Sequence, residues 1–327
     1  VKKPFLKYSP LIFSILAICT IIFDAGFIQD NRITLVIDRL YFIYLLGIIV
    51  TVPLKYYLDI GNYLKLRIWI IDLILWLSYN YLLVTTHFND LALNTNDVQF
   101  HPKIWLFIAF LVSTLRELSA IKVNLRYKYT NPAVIFAGSF FLAILVGTFL
   151  LMLPKATHSG IHFTNAFFTS TSAICVTGLI VVDTGTYFTQ FGQFIILILI
   201  QLGGIGIMTF TSFFSFFFMG GSTFQSLIML GNLTNENKIA EVIGTLKKIL
   251  FFTILVESVV FLLIYLNIRT SSGLELEDPA FFSVFHAVSA FCNAGFSTIP
   301  DSFYNIHFRY NYYLHSTVAL GFIVGGL

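Results

Sequence analysis

The sequence predicts an all-α integral membrane protein in which a unit of helix, short re-entrant segment and helix occurs twice behind extra N-terminal transmembrane helices. Three observations lead there. Of the 327 residues, 57% are hydrophobic and only 11% are charged, with a mean hydropathy of +0.85, a balance foreign to soluble domains. Apolar windows of about twenty residues, enough to cross a hydrocarbon core about 30 Å thick, recur along the whole chain. A polar, glycine-bearing turn interrupts the apolar pattern at two matching places.

Taken in order, the spans are expected at Pro10–Ile28, Val36–Leu54, Arg67–Val84, Ile104–Ile121, Pro132–Leu153, Phe191–Phe218, Gly244–Leu266 and from Tyr312 onward, seven complete and one unfinished. The first has no small-residue cleavage site after it and keeps Asp24 near its end, so it is expected to remain in the protein as a helix. The chain opens on Val1 and closes inside the apolar run "GFIVGGL", and a longer polypeptide is therefore expected. Lys2, Lys3 and Lys7 precede the first span; Lys55, Lys65 and Arg67 follow the second; Arg116, Lys122, Arg126 and Lys128 lie near the fourth-to-fifth connection; Lys238, Lys247 and Lys248 follow the sixth. The connections between carry mixed or acidic charge, including Asp90, Asp97, Glu275, Glu277 and Asp278. This alternation puts the N-terminus in the cytoplasm of a multi-pass protein of the cell membrane, the inner membrane in a bacterial cell. The three cysteines, Cys19, Cys175 and Cys292, lie in apolar surroundings and do not suggest a disulfide framework.

A shift in composition divides the chain. Residues 1–128 hold four spans rich in Leu, Ile and aromatic residues, with few glycines and no role legible in their sequence. The boundary falls in "RYKYTNPAV", where Asn131 and Pro132 end a basic connection and open the next helix. From there, residues 129–225 and 226–327 form two copies of one unit, the second incomplete at its end. Aligning "AFFTSTSAICVTGLI" (Ala166–Ile180) with "SVFHAVSAFCNAGFS" (Ser283–Ser297) pairs Phe168 with Phe285, Ser172 with Ser289, Ala173 with Ala290, Cys175 with Cys292 and Gly178 with Gly295. Farther on, "LGGIG" at Leu202–Gly206 has a counterpart in the terminal "VGGL".

The repeated turn has a chemical use. About twelve residues, as in Phe163–Ile174, are too few to span a bilayer, so the segment is expected to enter and turn back. Bare backbone at membrane depth is tolerated only where protein or water surrounds it. Carbonyls presented there can replace the hydration shell of a cation, as in potassium-channel filters. The helix running inward also brings its partly negative C-terminal end toward the centre. Glycine supplies backbone angles a side chain would forbid. A re-entrant packing loop without conduction is the competing reading; the second copy weighs toward an ion pathway.

The stretches "NPAVIFAGSFFLAILVGTFLLMLP", "TSTSAICVTGLIVVDTGTYFTQFGQFIILILIQLGGIGIMTF" and "FHAVSAFCNAGFSTIP" closely resemble the Trk/Ktr/HKT family of potassium transporters, over roughly residues 129–327. The resemblance implies helix-pore-helix repeats of the potassium-channel-like type, four around one pore, each giving one filter strand centred on a glycine. Carried onto this chain, it implies that Val176, Thr177 and Gly178 supply one quarter of a selectivity filter and Asn293, Ala294 and Gly295 another, with K⁺ as the transported ion and no cofactor. In plant members a serine at the first filter glycine accompanies sodium preference; Gly178 at that position implies potassium. Cys292 departs from the family's usual Asn, and its side chain is not expected to ligate an ion. A homodimer, a cytoplasmic nucleotide-binding regulatory subunit and contact with membrane lipid are implied as partners, and no nucleic acid. With two repeats present instead of four, a gate cannot be assigned.

Other residues admit plainer readings. Cys175 and Cys292, with His162 and His286 nearby, suggest a soft-metal site only weakly, since no ligand spacing supports it. Asp24, Asp72, Arg116 and Glu257 lie in or near spans, where interhelical pairing is the favoured reading over direct function; Asp72 can pair with Arg67 or with another N-terminal helix. Asp183 either caps a turn or enriches cations at the outer mouth. The glycines of "QLGGIGIM" and "GFIVGGL" serve close packing or hinge motion. Gly221–Ile249 reads as a cytoplasmic connection with an interfacial helix that could contact a regulator. Arg116, Lys122 and Arg126 are too sparse for a voltage sensor. No nucleophile elbow, phosphate loop, HExxH or paired CxxC points to an enzyme. Two classes remain: potassium uptake through a carbonyl-lined filter, and a non-conducting scaffold or sensor that keeps the fold.

Overall fold

The computed structural model describes residues 4–58, 72–84, 102–120, 132–219, 237–270 and 278–327. Within them the backbone is helical without a strand, and an isolated bridge joins Thr157 to Phe188. The chain divides into two compact units, Val1–Tyr127 and Lys128–Leu327.

The first unit holds α1 (Pro4–Gly26), α2 (Asn31–Leu58), α3 (Asp72–Val84) and α4 (Pro102–Ala120). Ser9–Gly26 and Arg32–Leu54 are long and apolar enough to cross a membrane. Helix α1 packs on α2 and on α4, around a core that includes Ala17, Leu45, Ile48, Tyr79 and Phe110. Polar groups inside this unit are tied between helices. Arg116 Nη2 donates to Asp72 Oδ2 at 2.5 Å. Tyr41 Oη donates to Asp24 Oδ2 at 3.3 Å, and Trp76 Nε1 to the Ile49 carbonyl at 2.9 Å. Of the two partners the sequence offered Asp72, the structure pairs it with α4; Arg67 lies outside the described residues.

The second unit begins with α5 (Pro132–Leu151), a 3-10 turn (Pro154–Ala156), the short α6 (Phe163–Ile174), the single turn α7 (Thr184–Tyr187) and the long α8 (Gln190–Met219). The order then recurs as α9 (Asn237–Thr270), the short α10 (Pro279–Phe291), a 3-10 turn (Ser302–Tyr304) and α11 (Tyr312–Gly326). Local sequence sets these starts. Pro279 occupies the first turn of α10, where its missing N–H is no loss, and Asp278 accepts from the N–H groups of Ala280 and Phe281 at 3.1 and 3.0 Å. Asn311 caps α11 by accepting from the Leu314 N–H at 3.1 Å.

One buried cluster draws on both copies: Ile174, Ile196 and Ile200 pack with Phe285, Phe291 and Phe296. A second cluster, with Val260, Ile264, Phe282 and Leu314, holds α9, α10 and α11 together. The opposite side of α9 exposes Phe251, Ile254, Leu255 and Leu262, an apolar face. Gln190–Thr209 and Leu246–Thr270 are the spans of this unit with membrane-crossing length and hydropathy. Of the stretch Gly221–Ile249, read from the sequence as a connection with an interfacial helix, Asn237–Ile249 forms the first turns of α9, and residues 220–236 lie outside the described residues.

Candidate functional site

The two short helices end in the same way. In α6 the Val176 N–H reaches back to the Ala173 carbonyl at 3.3 Å, and the Thr177 N–H to the Ser172 carbonyl at 2.9 Å. In α10 the Asn293 N–H bonds the Ala290 carbonyl at 2.9 Å, and the Ala294 N–H the Ser289 carbonyl at 2.8 Å. Each pair of bonds is a Schellman cap, which requires a left-handed residue just past the helix. Val176 and Asn293 occupy that position, with φ of 54° and 59°. Cys175 and Cys292, just before them, both keep right-handed helical angles. Two residues later the chain turns left-handed again, at Gly178 (φ 74°) and Gly295 (φ 71°). The pairing read from the sequence is therefore a pairing of backbone conformations.

Among the described residues, no hydrogen-bond donor reaches the carbonyls of Val176, Thr177, Gly178, Asn293, Ala294 or Gly295. The next carbonyl, that of Phe296, accepts from Ser289 Oγ at 2.7 Å. The two segments also approach one another. A methyl at Gly178 would stand 2.6 Å from the Ala294 carbonyl oxygen and 3.3 Å from Gly295 Cα. One at Gly295 would stand 3.5 Å from Gly178 Cα. All six residues singled out in the sequence thus lie in two facing segments.

The long glycine-bearing helices support these segments from behind. A methyl at Gly203 would collide with the Ile174 carbonyl oxygen, and one at Gly325 with the Phe291 carbonyl oxygen. Ile174 and Phe291 are the last residues of the two short helices, so each copy seats a glycine under its own helix end. Gly204 instead crosses between copies, where any side chain would run into the Cys292 thiol. These glycines serve close packing.

Several polar side chains around the segments are engaged. Asp183 caps α7, accepting from the Thr186 N–H at 2.8 Å and from Thr186 Oγ1 at 3.0 Å. Gln193 donates to the carbonyls of Thr184 and Phe188 at 3.1 and 3.3 Å, holding the preceding loop onto α8. Gln201 of α8 donates to Glu257 Oε2 of α9 at 3.2 Å, which joins the first copy to the second. Sequence reasoning placed Glu257 correctly in mid-helix but had no signal for this partner. His286, weighed in the sequence as a soft-metal ligand, spends both ring nitrogens on the protein: Nδ1 lies 2.9 Å from the Phe282 carbonyl and Nε2 3.0 Å from Ser297 Oγ. Cys175 is exposed and Cys292 buried, and both are free thiols.

Comparison with known proteins follows the same stretch of chain. The cation transport protein family TrkH matches residues 98–327. A Ktr system potassium uptake protein B from Bacillus subtilis is 42% identical over 175 residues, covering 54% of this chain and 39% of that protein. The potassium/sodium uptake protein NtpJ of Enterococcus hirae is 36% identical over 202 residues, 61% of this chain and 44% of that protein. A Ktr system potassium uptake protein B from Vibrio alginolyticus is 34% identical over 189 residues, covering 58% and 41%. The chain spans less than half the length of each of these curated relatives.

Proposed function

The chain belongs to the cation transport protein family TrkH, and from that premise we propose that its second unit forms half of a potassium pathway. In this reading α5–α8 and α9–α11 are two helix-pore-helix repeats, α6 and α10 are the pore helices, and Val176, Thr177, Gly178, Asn293, Ala294 and Gly295 line the filter with their carbonyls. The observation that carries it is the pair of facing segments with matching left-handed residues and carbonyls that no donor reaches among the described residues. In a membrane interior such carbonyls are costly unless something positive meets them. A desolvated cation is that partner. The C-terminal ends of α6 and α10 add their partial negative charge at the same place.

The curated relatives named above are uptake proteins for potassium, or for potassium and sodium, which supports K⁺ as the cargo here. Passive flow down the electrochemical gradient needs no cofactor and no chemical step. The basic connections favour an N-terminus in the cytoplasm. The family resemblance supports a homodimer and a cytoplasmic nucleotide-binding regulatory subunit as partners.

Rubidium and sodium flux into vesicles carrying the full encoded polypeptide tests this function. Rubidium entry well above sodium entry is expected. No flux from correctly folded protein would overturn it in favour of a scaffold or sensor.

A further inference from the structure

The two facing segments share a backbone but not the side chains that hold it. His286 sits on α10 one turn before Ser289, so both project from one side of the helix. It is 2% exposed. Its Nδ1 lies 2.9 Å from the Phe282 carbonyl, which can only accept, so Nδ1 carries the proton. Nε2 is then a lone pair, and the Ser297 hydroxyl 3.0 Å away donates to it. With its proton so committed, Ser297 Oγ accepts from the Ile299 N–H at 3.1 Å. Ser289 Oγ meanwhile binds the Phe296 carbonyl at 2.7 Å. Two adjacent residues just beyond Gly295 are thus stapled to the short helix, and the Phe296 carbonyl is withdrawn from any ion.

The imidazole is itself held in place by aromatic rings. Its centroid lies 4.1 Å from that of Phe282 and 5.2 Å from that of Phe303, on the 3-10 turn beyond the segment. The first copy has no such arrangement. Thr169 takes the place of His286 and Ile180 that of Ser297. Thr169 Oγ1 is buried with no hydrogen-bond partner among the described residues. The side-chain tie seen there runs from Thr177 Oγ1 to Ser172 Oγ at 3.0 Å.

We propose that His286, acting through Ser297, is a positioning residue that fixes the second filter segment and so sets its share of ion discrimination. This deepens the transport reading and rests on it. A segment held by directional bonds keeps its carbonyls at one spacing, and a loosened segment lets them close on a smaller ion. The imidazole works here as a neutral acceptor and hydrogen-bonded spacer.

The test measures the rubidium-to-sodium flux ratio of the full polypeptide in vesicles, with Ser297→Ala, His286→Leu, His286→Gln and the double variant Ser297→Ala/His286→Leu. Ser297→Ala removes the hydroxyl that bonds both His286 Nε2 and the Ile299 N–H and leaves the aromatic packing untouched. It is expected to lower the ratio about fivefold or more, the net hydrogen bond to the short helix alone counting for about that much. His286→Gln, which places an acceptor near the Nε2 position, is expected to retain most of the ratio. The double variant should lose no more than the larger single loss, as expected for partners in one interaction. An unchanged ratio in Ser297→Ala overturns the inference, whatever His286→Leu does, and leaves the transport reading standing. Absence of rubidium flux in the unaltered protein overturns both.

Discussion

Replacing Gly178 by Ala should damage ion discrimination more than replacing Gly295 by Ala, although the two glycines are equivalent by repeat and nearly identical in φ. Both variants force a side chain into a left-handed conformation, which costs about 1–2 kcal/mol. There the likeness ends. The new methyl at Gly178 would lie 2.6 Å from the Ala294 carbonyl oxygen. Carbon-to-oxygen contacts relax at about 3.3 Å or more, so that carbonyl must retreat by roughly 0.7 Å. The group that yields is backbone, with no rotamer to absorb the change, and it belongs to the opposite segment. The methyl at Gly295 meets only Gly178 Cα at 3.5 Å, an ordinary contact. Gly178→Ala therefore perturbs both segments and Gly295→Ala chiefly its own. Vesicle flux of rubidium and sodium through the full polypeptide reads the difference. A ratio lower by about tenfold in Gly178→Ala than in Gly295→Ala is expected, equivalent to about 1.4 kcal/mol of discrimination. Equal ratios, or a greater loss at Gly295, from variants that fold equally well would refute the reasoning.

Three further outcomes follow from packing and pairing. Gly203→Ala drives a methyl against the Ile174 carbonyl, whereas Gly138→Ala meets nothing within 4 Å; thermal unfolding in detergent should show a lower midpoint for the first and an unchanged or higher one for the second. Gln201→Leu removes the donor to Glu257 Oε2; leaving that carboxyl oxygen without its donor should cost about 1–3 kcal/mol in the same unfolding assay, and the double variant Gln201→Leu/Glu257→Leu, which removes both partners, should recover part of the loss. Asp72→Ala removes the carboxylate that Arg116 meets at 2.5 Å, with the two side chains 8% and 14% exposed; a lower unfolding midpoint is expected, while the rubidium-to-sodium ratio of the surviving folded protein stays constant.

The helical class and the position of the repeated turn were legible because each follows from short-range pattern. Apolar windows mark spans, and a helix that ends in a Schellman cap marks itself by residues adjacent in sequence. Matching "LGGIG" with "VGGL" likewise anticipated contact: Gly203 and Gly325 sit under the last carbonyl of their own short helices. Partners from distant helices left no such trace. Asp72 and Arg116, or Gln201 and Glu257, meet only after folding, and nothing near either residue names the other. The partners of His286 were hidden for a related reason. A histidine near a cysteine invites a metal reading, and only its two hydrogen-bond partners show that both nitrogens are occupied. Helix α9 starts at Asn237, ahead of the span expected from Gly244, because an apolar window marks the part of a helix that crosses the apolar layer and not how far the helix runs beyond it.

The cap of the first short helix runs against local preference, and that conflict is informative. Asparagine tolerates the left-handed region through its short polar side chain, so Asn293 suits its position. Valine does not: its branched Cβ makes a φ of 54° a genuine strain at Val176. Both residues nonetheless adopt the same turn, followed two residues later by a left-handed glycine. The Schellman cap of each short helix sets that turn at Val176 as it does at Asn293. On the proposed transport reading, the same turn also gives the two facing segments matching carbonyls to present to one ion. On that reading the strain at Val176 sits where local rules are expected to yield to function.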